Sequence, residues 1–306
     1  MGEEARPREL GSGSPEDSWP ESWAEGMSAA LEMPADLLTH LPELLQDLTS
    51  MGCTLEPTLR LARMAGVGPS HLVLDLCCGK GAASVVLASE FGCTVVGVDL
   101  FPPFIREARA LAEEAGMGHL CTFLVADARA YLGSGPEECS QGGPLHGLPS
   151  EGEGDGHGAG SGVPKSFDGV VLAAAGSVLG GYEETVGRLR KVVRPGGWML
   201  LEEGFLPEGF SGILPPGHQH CLRRDEALKA LTSHGDRLVE ELVVPRSAVA
   251  AFNRTTTGLI KRRAEEVAAR EPKVAEGVRA YAREQEHWGE AALAVERVLW
   301  LLRRGP

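Results

Sequence analysis

Residues 71–87 read HLVLDLCCGKGAASVVL, and this stretch decides the fold that the sequence predicts. The run HLVLDL is short and apolar, as expected for a buried strand of a parallel sheet. The turn CCGKG follows at once, and AASVVLASEFG has the composition of a helix. A strand joined to a helix by a tight glycine turn is the opening unit of an α/β sheet that binds ligands at its strand ends.

Strand and helix patterns continue to alternate along the chain. Further strands are predicted at 93–99, 121–127, 167–175, 197–204, 236–245 and 292–304, with helical segments between them. The fold class is therefore α/β, with a Rossmann-like, seven-stranded, doubly wound sheet and right-handed crossovers. The composition of the last of these segments would suit a helix almost as well as a strand.

Composition divides the chain into parts. Residues 1–26 are polar and acidic and predict a disordered tail, and residues 27–69 predict an N-terminal helical cap. Residues 70–306 form the main domain, which is interrupted by the segment 133–166 and by a helical insertion at 247–290. The first interruption contains eleven glycines and predicts a disordered loop, and the second breaks into two helices at Pro272.

Charge and cysteine content exclude several classes of protein. The net charge of −14 comes mainly from the predicted tail, the start of the cap and the glycine-rich loop. Because the remaining body is close to neutral and has no basic stripe, nucleic acid is a disfavoured partner. No apolar run is long enough for a membrane helix, and the seven cysteines lack zinc or disulfide spacing. We expect a reduced cytoplasmic protein with no membrane partner and no bound metal.

The turn after the first strand carries an acidic residue and a glycine pattern. Asp75 is followed by Cys77, Gly79 and Gly81, whereas a nicotinamide-binding fingerprint would need a further glycine where Ser84 stands. The pattern resembles motif I of the class I S-adenosylmethionine-dependent methyltransferases, an acid followed by G-x-G-x-G. Here Cys77 replaces the first glycine, at the position that we interpret as the least demanding of the backbone. Gly79 and Gly81 let the chain turn tightly beside a ligand.

The resemblance implies further contacts with S-adenosylmethionine. Asp99 ends the second strand and matches the acid that binds the ribose hydroxyls, and Asp127 matches the acid that takes the adenine amino group. Leu100 and Ala128 would lie on either side of the purine. Amides at the start of the helix after the glycine turn would face the methionine carboxylate. The alternative is that Asp99 and Asp127 only cap the helices that follow them.

The resemblance covers about residues 70–132 and 167–245, including VRPGGWMLL before the fifth strand. Together with the insertion before the last strand, it points to a group of bacterial, small-molecule-type members of the family. The helical insertion, together with the leucine-rich helix at 33–51, could then form a lid over the cofactor. The bland alternative is that they form a dimer interface or only cover an edge of the sheet.

Catalytic residues are harder to predict, since methyl transfer is a direct displacement that depends mainly on alignment of the reactants. Glu203, after the fifth strand, is our first candidate for a catalytic residue, with Tyr182 second and Glu202 also considered. Lys80 is expected to be solvated. His218, His220 and Cys221 resemble a metal cluster, but we interpret their surroundings as a mobile loop.

The sequence thus predicts an enzyme that transfers a methyl group from S-adenosylmethionine to a small-molecule acceptor by direct displacement. Two alternatives remain open. The acceptor could be RNA or a protein, for which the mildly basic residues 246–306 are the only support. The protein could also bind the cofactor without catalysis. A monomer or homodimer is expected.

Overall fold

The computed structural model describes residues 28, 34–50, 52, 54–133, 166–214 and 217–306. The predicted disordered tail lies outside these residues, as does the predicted loop except for its two end residues. The strands are β1 (Leu72–Leu76), β2 (Thr94–Asp99), β3 (Cys121–Val125), β4 (Phe167–Leu172), β5 (Val193–Phe205), β6 (Arg237–Val243) and β7 (Glu296–Arg303). The helices are α1 (Ala35–Leu38), α2 (Leu41–Leu44), α3 (Leu55–Ala65), α4 (Ala82–Phe91), α5 (Pro102–Glu114), α6 (Ala128–Gly133), α7 (Tyr182–Leu189), α8 (Arg224–Leu231), α9 (Arg246–Arg270) and α10 (Ala275–Ala291).

The seven strands form one sheet in the order β3-β2-β1-β4-β5-β7-β6. Strands β1 to β5 pair in parallel, and β7 runs antiparallel to both β5 and β6. The predicted α/β class and the seven-stranded, doubly wound sheet are confirmed. Because the strand order reverses between β1 and β4, a crevice opens there at the carboxyl ends of the strands, where such sheets bind ligands.

The ambiguous segment near residue 300 is a strand. Its residues from Val298 to Leu302 are all buried, which means that both faces of β7 are covered. A strand that is covered on both faces has a continuous apolar run without alternation, and such a run cannot be distinguished from a buried helix by its periodicity. The antiparallel pairing of β7 with β5 and β6 therefore identifies the segment as a strand, which its composition could not do.

Four helices outside the sheet layers form a second apolar cluster. We call α1, α2, α9 and α10 the helical cap. Leucines of α1 and α2, such as Leu38 and Leu44, are buried against Ile260 and Val267 of α9 and against Val278 of α10. This cluster also contains side chains at the start of α5, so the apolar contact joins the cap to the sheet.

Ion pairs reinforce the cap where its N-terminal part meets α9. Asp47 accepts hydrogen bonds from Arg263 at 2.6 and 2.7 Å and from Arg262 at 2.7 Å. Glu43 accepts two from Arg270, at 2.9 and 2.7 Å. Hydrogen bonds and charge from Arg263 and Arg262 outweigh the effect of burial and lower the pKa of Asp47 to about 2.

Proline positions explain where the cap helices begin and end. The leucine-rich segment is split as predicted, into α1 and α2, and Pro42 lies in the first turn of α2, where its missing N–H is not needed. The long insertion separates into α9 and α10 around Pro272. Helix α9 begins at Arg246, one residue before the start of the predicted helical insertion.

Candidate active site

The turn between β1 and α4 holds three residues in the left-handed region. Cys77 has φ 60°, Gly79 φ 54° and Gly81 φ 77°. The interpretation of Cys77 as the least demanding position of the backbone is therefore wrong, because it needs a left-handed conformation as much as the two glycines do. A cysteine in this conformation is strained, since its Cβ approaches the following carbonyl.

Gly81 also serves the packing of the domain. A Cβ at this residue would lie 2.8 Å from Cβ of Ala108 and 3.0 Å from the ring of Phe123. The glycine therefore allows α4 to start close to α5 and β3. Its neighbours Ala82 and Ala83, at the start of α4, line the crevice.

Asp75 is buried near the end of β1. The hydroxyl of Ser84, in the first turn of α4, donates a hydrogen bond of 2.6 Å to Oδ2 of Asp75. Burial raises the pKa of Asp75 to about 6, and the nearby charge of Asp99 acts in the same direction. Ser84, the residue that breaks the nicotinamide fingerprint, thus anchors the acid of the turn.

Asp99 connects the second strand to the glycine turn. The backbone amide of Gly79 donates to its Oδ2 at 2.8 Å, and the amide of Phe101 donates to its Oδ1 at 2.9 Å. Burial raises the pKa of this carboxyl, and the two amides oppose that effect. Asp99 and Leu100 both line the crevice, so the structure brings them together with the turn.

Asp127 has a different environment. Its carboxylate accepts a hydrogen bond of 2.7 Å from the backbone amide of Arg129 and is held by the guanidinium of the same residue at 2.6 to 3.2 Å. Burial would raise the pKa of Asp127, but these contacts outweigh it and lower the pKa. Asp127 caps α6, and Ala128, the first residue of that helix, is buried. Neither residue lines the crevice.

The expectation that Lys80 is solvated is wrong. Its side chain is 5% exposed, and its Nζ donates to the carbonyl of Leu45 at 2.8 Å. The same Nζ pairs with Glu107 at 2.8 Å and lies 5.8 Å from the centre of the Phe104 ring. Lys80 therefore ties the glycine turn to α5 and to the segment that follows α2.

The crevice contains a cavity of about 380 Å³, which we call the first cavity. Its floor is the glycine turn and the ends of β1 and β2, and its roof is made of residues from the helical cap. The lining residues include Asp75, Cys77, Gly79, Asp99, Leu100 and, from α10, Tyr281.

A second cavity of about 400 Å³ adjoins the first. It lies between the end of β5, the segment after β5, and helices α9 and α10. Ala174, Glu202 and Gln285 line both cavities, so these three residues mark the junction between them. Ala174 has φ 53°, a strained conformation for a residue with a Cβ.

Glu202 is fixed at this junction by two partners. The hydroxyl of Thr54 donates to its Oε2, and Nη1 of Arg297, on β7, donates to its Oε1. The side chain of Glu202 is 1% exposed. A buried carboxylate with a cation and a hydroxyl as partners is held in one position.

Glu203, the first catalytic candidate, lines the second cavity together with His220. Nε2 of His220 lies 3.0 Å from Oε2 of Glu203, and the two side chains are 14% and 8% exposed. The hydrogen bond with Glu203 raises the pKa of His220. The segment 217–221 that we interpreted as a mobile loop thus supplies an ordered partner for the candidate acid.

Tyr182, the second candidate, lies behind this pair. Its hydroxyl donates to the carbonyl of Gly204, and its ring packs 5.8 Å from both His220 and Trp300, centre to centre. Burial raises its pKa above the ordinary range. Tyr182 lines neither the first nor the second cavity.

Sequence reasoning missed Thr54, Gln285 and Arg297. Thr54 stands directly before a helix, where a hydroxyl residue is common as a cap, and Arg297 belongs to a strand whose assignment was uncertain. Gln285 is one polar residue among many on α10. Only the tertiary structure brings the three to the junction.

Two kinds of feature are absent from the described residues. In this part of the chain, no group of three or more His, Cys, Asp and Glu side chains is arranged to hold a metal ion. None of the helices described here has the length and apolar character needed to cross a bilayer.

Residues 73–138 match the family described as a methyltransferase domain. The match agrees, over this segment, with the predicted resemblance to the S-adenosylmethionine-dependent methyltransferases. It begins within β1 and includes the glycine turn and the acids that end β2 and follow β3.

Curated proteins are similar to this chain over limited lengths. Demethylmenaquinone methyltransferase of Thermus thermophilus is 30% identical over 174 residues, which are 56% of this chain and 65% of that protein. Geranyl diphosphate 2-C-methyltransferase of Saccharopolyspora erythraea is 36% identical over 63 residues, 21% of this chain and 22% of that protein. The chain thus spans less than two thirds of the length of these relatives.

A solved structure has the same fold over nearly the whole chain. The SAM-dependent methyltransferase of Geobacter sulfurreducens, solved in complex with S-adenosyl-L-homocysteine, superposes with a TM-score of 0.64 at 19% identity. The superposition covers 86% of this chain and 96% of that chain. The methyltransferase fold therefore extends well beyond the segment that matches the family in sequence.

Proposed function

We propose that the protein transfers a methyl group from S-adenosylmethionine, bound in the first cavity, to a small molecule bound in the second. The observation that carries this proposal is the junction at Ala174, Glu202 and Gln285, where the two cavities meet. Direct displacement needs a donor and an acceptor in line and in contact. Two adjoining cavities provide that arrangement.

The residues of the first cavity suit the cofactor. The left-handed turn at 77–81 brings backbone close to the cavity, and the start of α4 offers free amides for a carboxylate. Asp99 is the proposed ribose acid, with its orientation set by the amides of Gly79 and Phe101. Leu100 is the proposed purine contact.

The two residues proposed to contact adenine lie outside the lining of the first cavity. Asp127 and Ala128 remain the proposed adenine contacts, by the resemblance in sequence. Because the guanidinium of Arg129 already holds the Asp127 carboxylate, this residue would bind the amino group through the lone pairs that Arg129 leaves unused.

When bound, S-adenosylmethionine supplies an electrophilic methyl group on a sulfonium centre. The carboxylate of Glu202 lies at the junction, where hydrogen bonds from Thr54 and Arg297 fix its position. We assign Glu203 to the acceptor side as the group that takes a proton from the acceptor. His220 orients Glu203, and Tyr182 is a positioning residue that supports His220.

A small acceptor fits the enclosure of the second cavity. Helices α9 and α10 cover the cavity, and Trp288 and Phe252 are part of its wall. A macromolecular acceptor would need an open approach to the junction, so the cap favours the small-molecule interpretation over RNA or protein. The methyltransferases named for demethylmenaquinone and geranyl diphosphate also support it.

The proposal is tested by calorimetric titration of the protein with S-adenosylmethionine and with S-adenosylhomocysteine. We expect micromolar binding of both and, since hydrogen bonds to a charged group are lost, an affinity about 10- to 100-fold lower for Asp99→Ala. Asp225→Ala is the matched control, because that side chain is 95% exposed on α8. Absence of binding by the unmodified protein would overturn the proposal.

The place of action and the assembly belong to the same proposal. We place the protein in the cytoplasm on the basis of its cysteine pattern, as the sequence predicts. The expected monomer or homodimer stays a prediction, which light scattering of the purified protein would check.

A further inference from the structure

We infer that the second cavity binds an uncharged acceptor, one with a hydrogen-bonding polar group, such as a hydroxyl, on an otherwise apolar body. This inference rests on the proposed function, because it names the chemical class of the acceptor. Three features of the cavity support it, namely its paired charges, its unused hydrogen-bonding groups and its apolar wall.

The charged side chains of the cavity satisfy one another. Glu202 is paired with Arg297, and Glu203 lies 3.0 Å from His220. An anionic acceptor would place its charge beside two carboxylates whose cations are already engaged. A cationic acceptor would have to displace Arg297 or His220 from the carboxylate that each of them contacts. Either ion would lose its hydration without gaining a counter-ion of its own, and this loss is costly in a buried site.

Three neutral polar side chains of the helical cap face the cavity without a hydrogen bond to another side chain or to the backbone of the described residues. Thr256 and Thr257 on α9 and Gln285 on α10 line the cavity. In the described part of the chain, no side-chain hydrogen bond joins any of the three to another residue, whereas Asn253 beside them donates to the carbonyl of Gly289 at 2.7 Å. Thr257 is 8% exposed. Because these hydroxyls and this amide line the cavity without a side-chain hydrogen bond to the rest of the described chain, a ligand with a neutral donor or acceptor would find partners there.

The rest of the wall is apolar. Phe252 and Ile260 of α9, Trp288 of α10, and Val295 before β7 line the same cavity. Aromatic and branched side chains at this density suit a ring or a hydrocarbon chain. The polar group would then lie by Thr257 and Gln285, near the junction, and the apolar body would lie between the two cap helices.

The inference discriminates between the acceptors that the relatives' names contain. A diphosphate, as in geranyl diphosphate, brings several negative charges and needs cations that are not committed elsewhere. A quinone-type molecule, as in demethylmenaquinone, is uncharged and largely apolar. The second cavity fits the latter kind of molecule.

Three probes that share one ring system test the inference. They are 2-naphthol, 2-naphthyl phosphate and 2-naphthylmethylamine, which at neutral pH are uncharged, anionic and cationic. Each is titrated by calorimetry into the protein, with and without saturating S-adenosylhomocysteine. We expect the naphthol to bind at least about tenfold more tightly than either charged probe. Equal or tighter binding of a charged probe, or no binding of the naphthol, would overturn the inference.

Variants of α9 locate the binding. Thr257→Val should weaken the naphthol about 3- to 10-fold, because a buried hydroxyl loses its role as a hydrogen-bonding partner. Thr255→Val is the matched control, since that hydroxyl is exposed and donates to the carbonyl of Ala251 at 3.1 Å. Equal effects of the two variants would count against the second cavity as the binding site.

The outcomes separate the two proposals. If S-adenosylhomocysteine does not bind, the proposed function fails, and the titrations without it still test the preference for an uncharged ligand. If S-adenosylhomocysteine binds and the probes do not follow the expected order, only the inference about the acceptor fails.

Discussion

The backbone amide of Gly79 donates a hydrogen bond of 2.8 Å to Oδ2 of Asp99, across 20 residues of sequence. This bond sets the position of the glycine turn relative to the end of β2. Because the other carboxylate oxygen accepts from the amide of Phe101, Asp99 is held by two donors at once. The acid proposed to bind the cofactor therefore also organises the glycine turn.

Asp99→Asn should reveal this structural role in the protein without ligand. An asparagine has one acceptor oxygen, so its NH₂ group must face one of the two amides that now donate to Asp99. We expect the free energy of unfolding in urea to fall by about 1–3 kcal/mol. Asp225→Asn, at an exposed position of α8, should leave it unchanged, and equal stability of the two variants would contradict the assigned role.

Cys77→Gly should stabilise the protein. Cys77 has φ 60°, a conformation that costs a residue with a Cβ about 1–2 kcal/mol and a glycine much less. After the entropy of the unfolded glycine is deducted, a gain of up to about 1 kcal/mol in the free energy of unfolding remains. Cys77→Val should have the opposite effect, because a branched side chain tolerates this conformation least.

The adjacent cysteine provides the control for that experiment. Cys78 is outside the set of residues with positive φ, so Cys78→Gly should destabilise the protein. If glycine had the same effect at both positions, backbone strain at Cys77 would not be the cause.

Asp75 should make stability depend on pH in an unusual direction. Burial raises its pKa from 3.8 to about 6 in the folded protein, so the folded state holds its proton more tightly than the unfolded state. The stabilisation is complete below about pH 4 and is lost as the pH rises through about 6, up to about 3 kcal/mol in all. Asp75→Asn keeps an acceptor for Ser84 and cannot ionise.

We therefore expect the difference in unfolding free energy between Asp75→Asn and the unmodified protein to grow in favour of the asparagine between pH 4 and 7. Urea unfolding at several pH values measures it. Asp225→Asn should give a difference that hardly varies with pH. A constant difference for Asp75→Asn would show that this carboxyl titrates normally.

Lys80→Met tests the connection between the glycine turn and the cap. The variant keeps much of the side-chain volume but removes the donor to Leu45 and the partner of Glu107. Since the Leu45 carbonyl keeps only its bond from the Leu48 amide and Glu107 loses its cation, the free energy of unfolding should fall by about 1–3 kcal/mol. Lys261→Met removes an exposed pair with Glu286 and should cost no more than about 0.5 kcal/mol. Similar losses in the two variants would argue against a buried role for Lys80.

The sequence predicted the sheet because its strands are buried on both faces and are separated by clear turns. The seven strands and the helices between them follow from apolar runs and from residues such as Gly81 and Gly92 that begin or end α4. The order of β6 and β7 could not follow from the same reasoning, because pairing between strands that are distant in sequence leaves no periodic signal. The burial of Lys80 could not be predicted for a related reason. Its partners come from α5 and from the segment after α2, which are distant from it in sequence.

Some residues of the candidate site could be predicted from the sequence and others could not. Asp75 and Gly79 lie in one contiguous motif and Asp99 ends the next strand, so the sequence could single them out, and the structure brings the three to one cavity. Glu203 was predicted from its position at a strand end, but its partner His220 was assigned to a mobile loop. The conformation of Cys77 was misjudged because a cysteine in sequence gives no sign of a left-handed backbone.

The two hydrogen bonds that hold Glu202, from Thr54 and from Arg297, have a consequence for the synthesis of the protein. Thr54 lies 148 residues before this carboxylate and Arg297 lies 95 residues after it. While the chain grows on the ribosome, the glycine turn and the acids of β1 and β2 are made early, whereas the guanidinium that neutralises Glu202 is made late. The junction between the two cavities is therefore the last part of the site to be completed, when β7 brings Arg297 between β5 and β6.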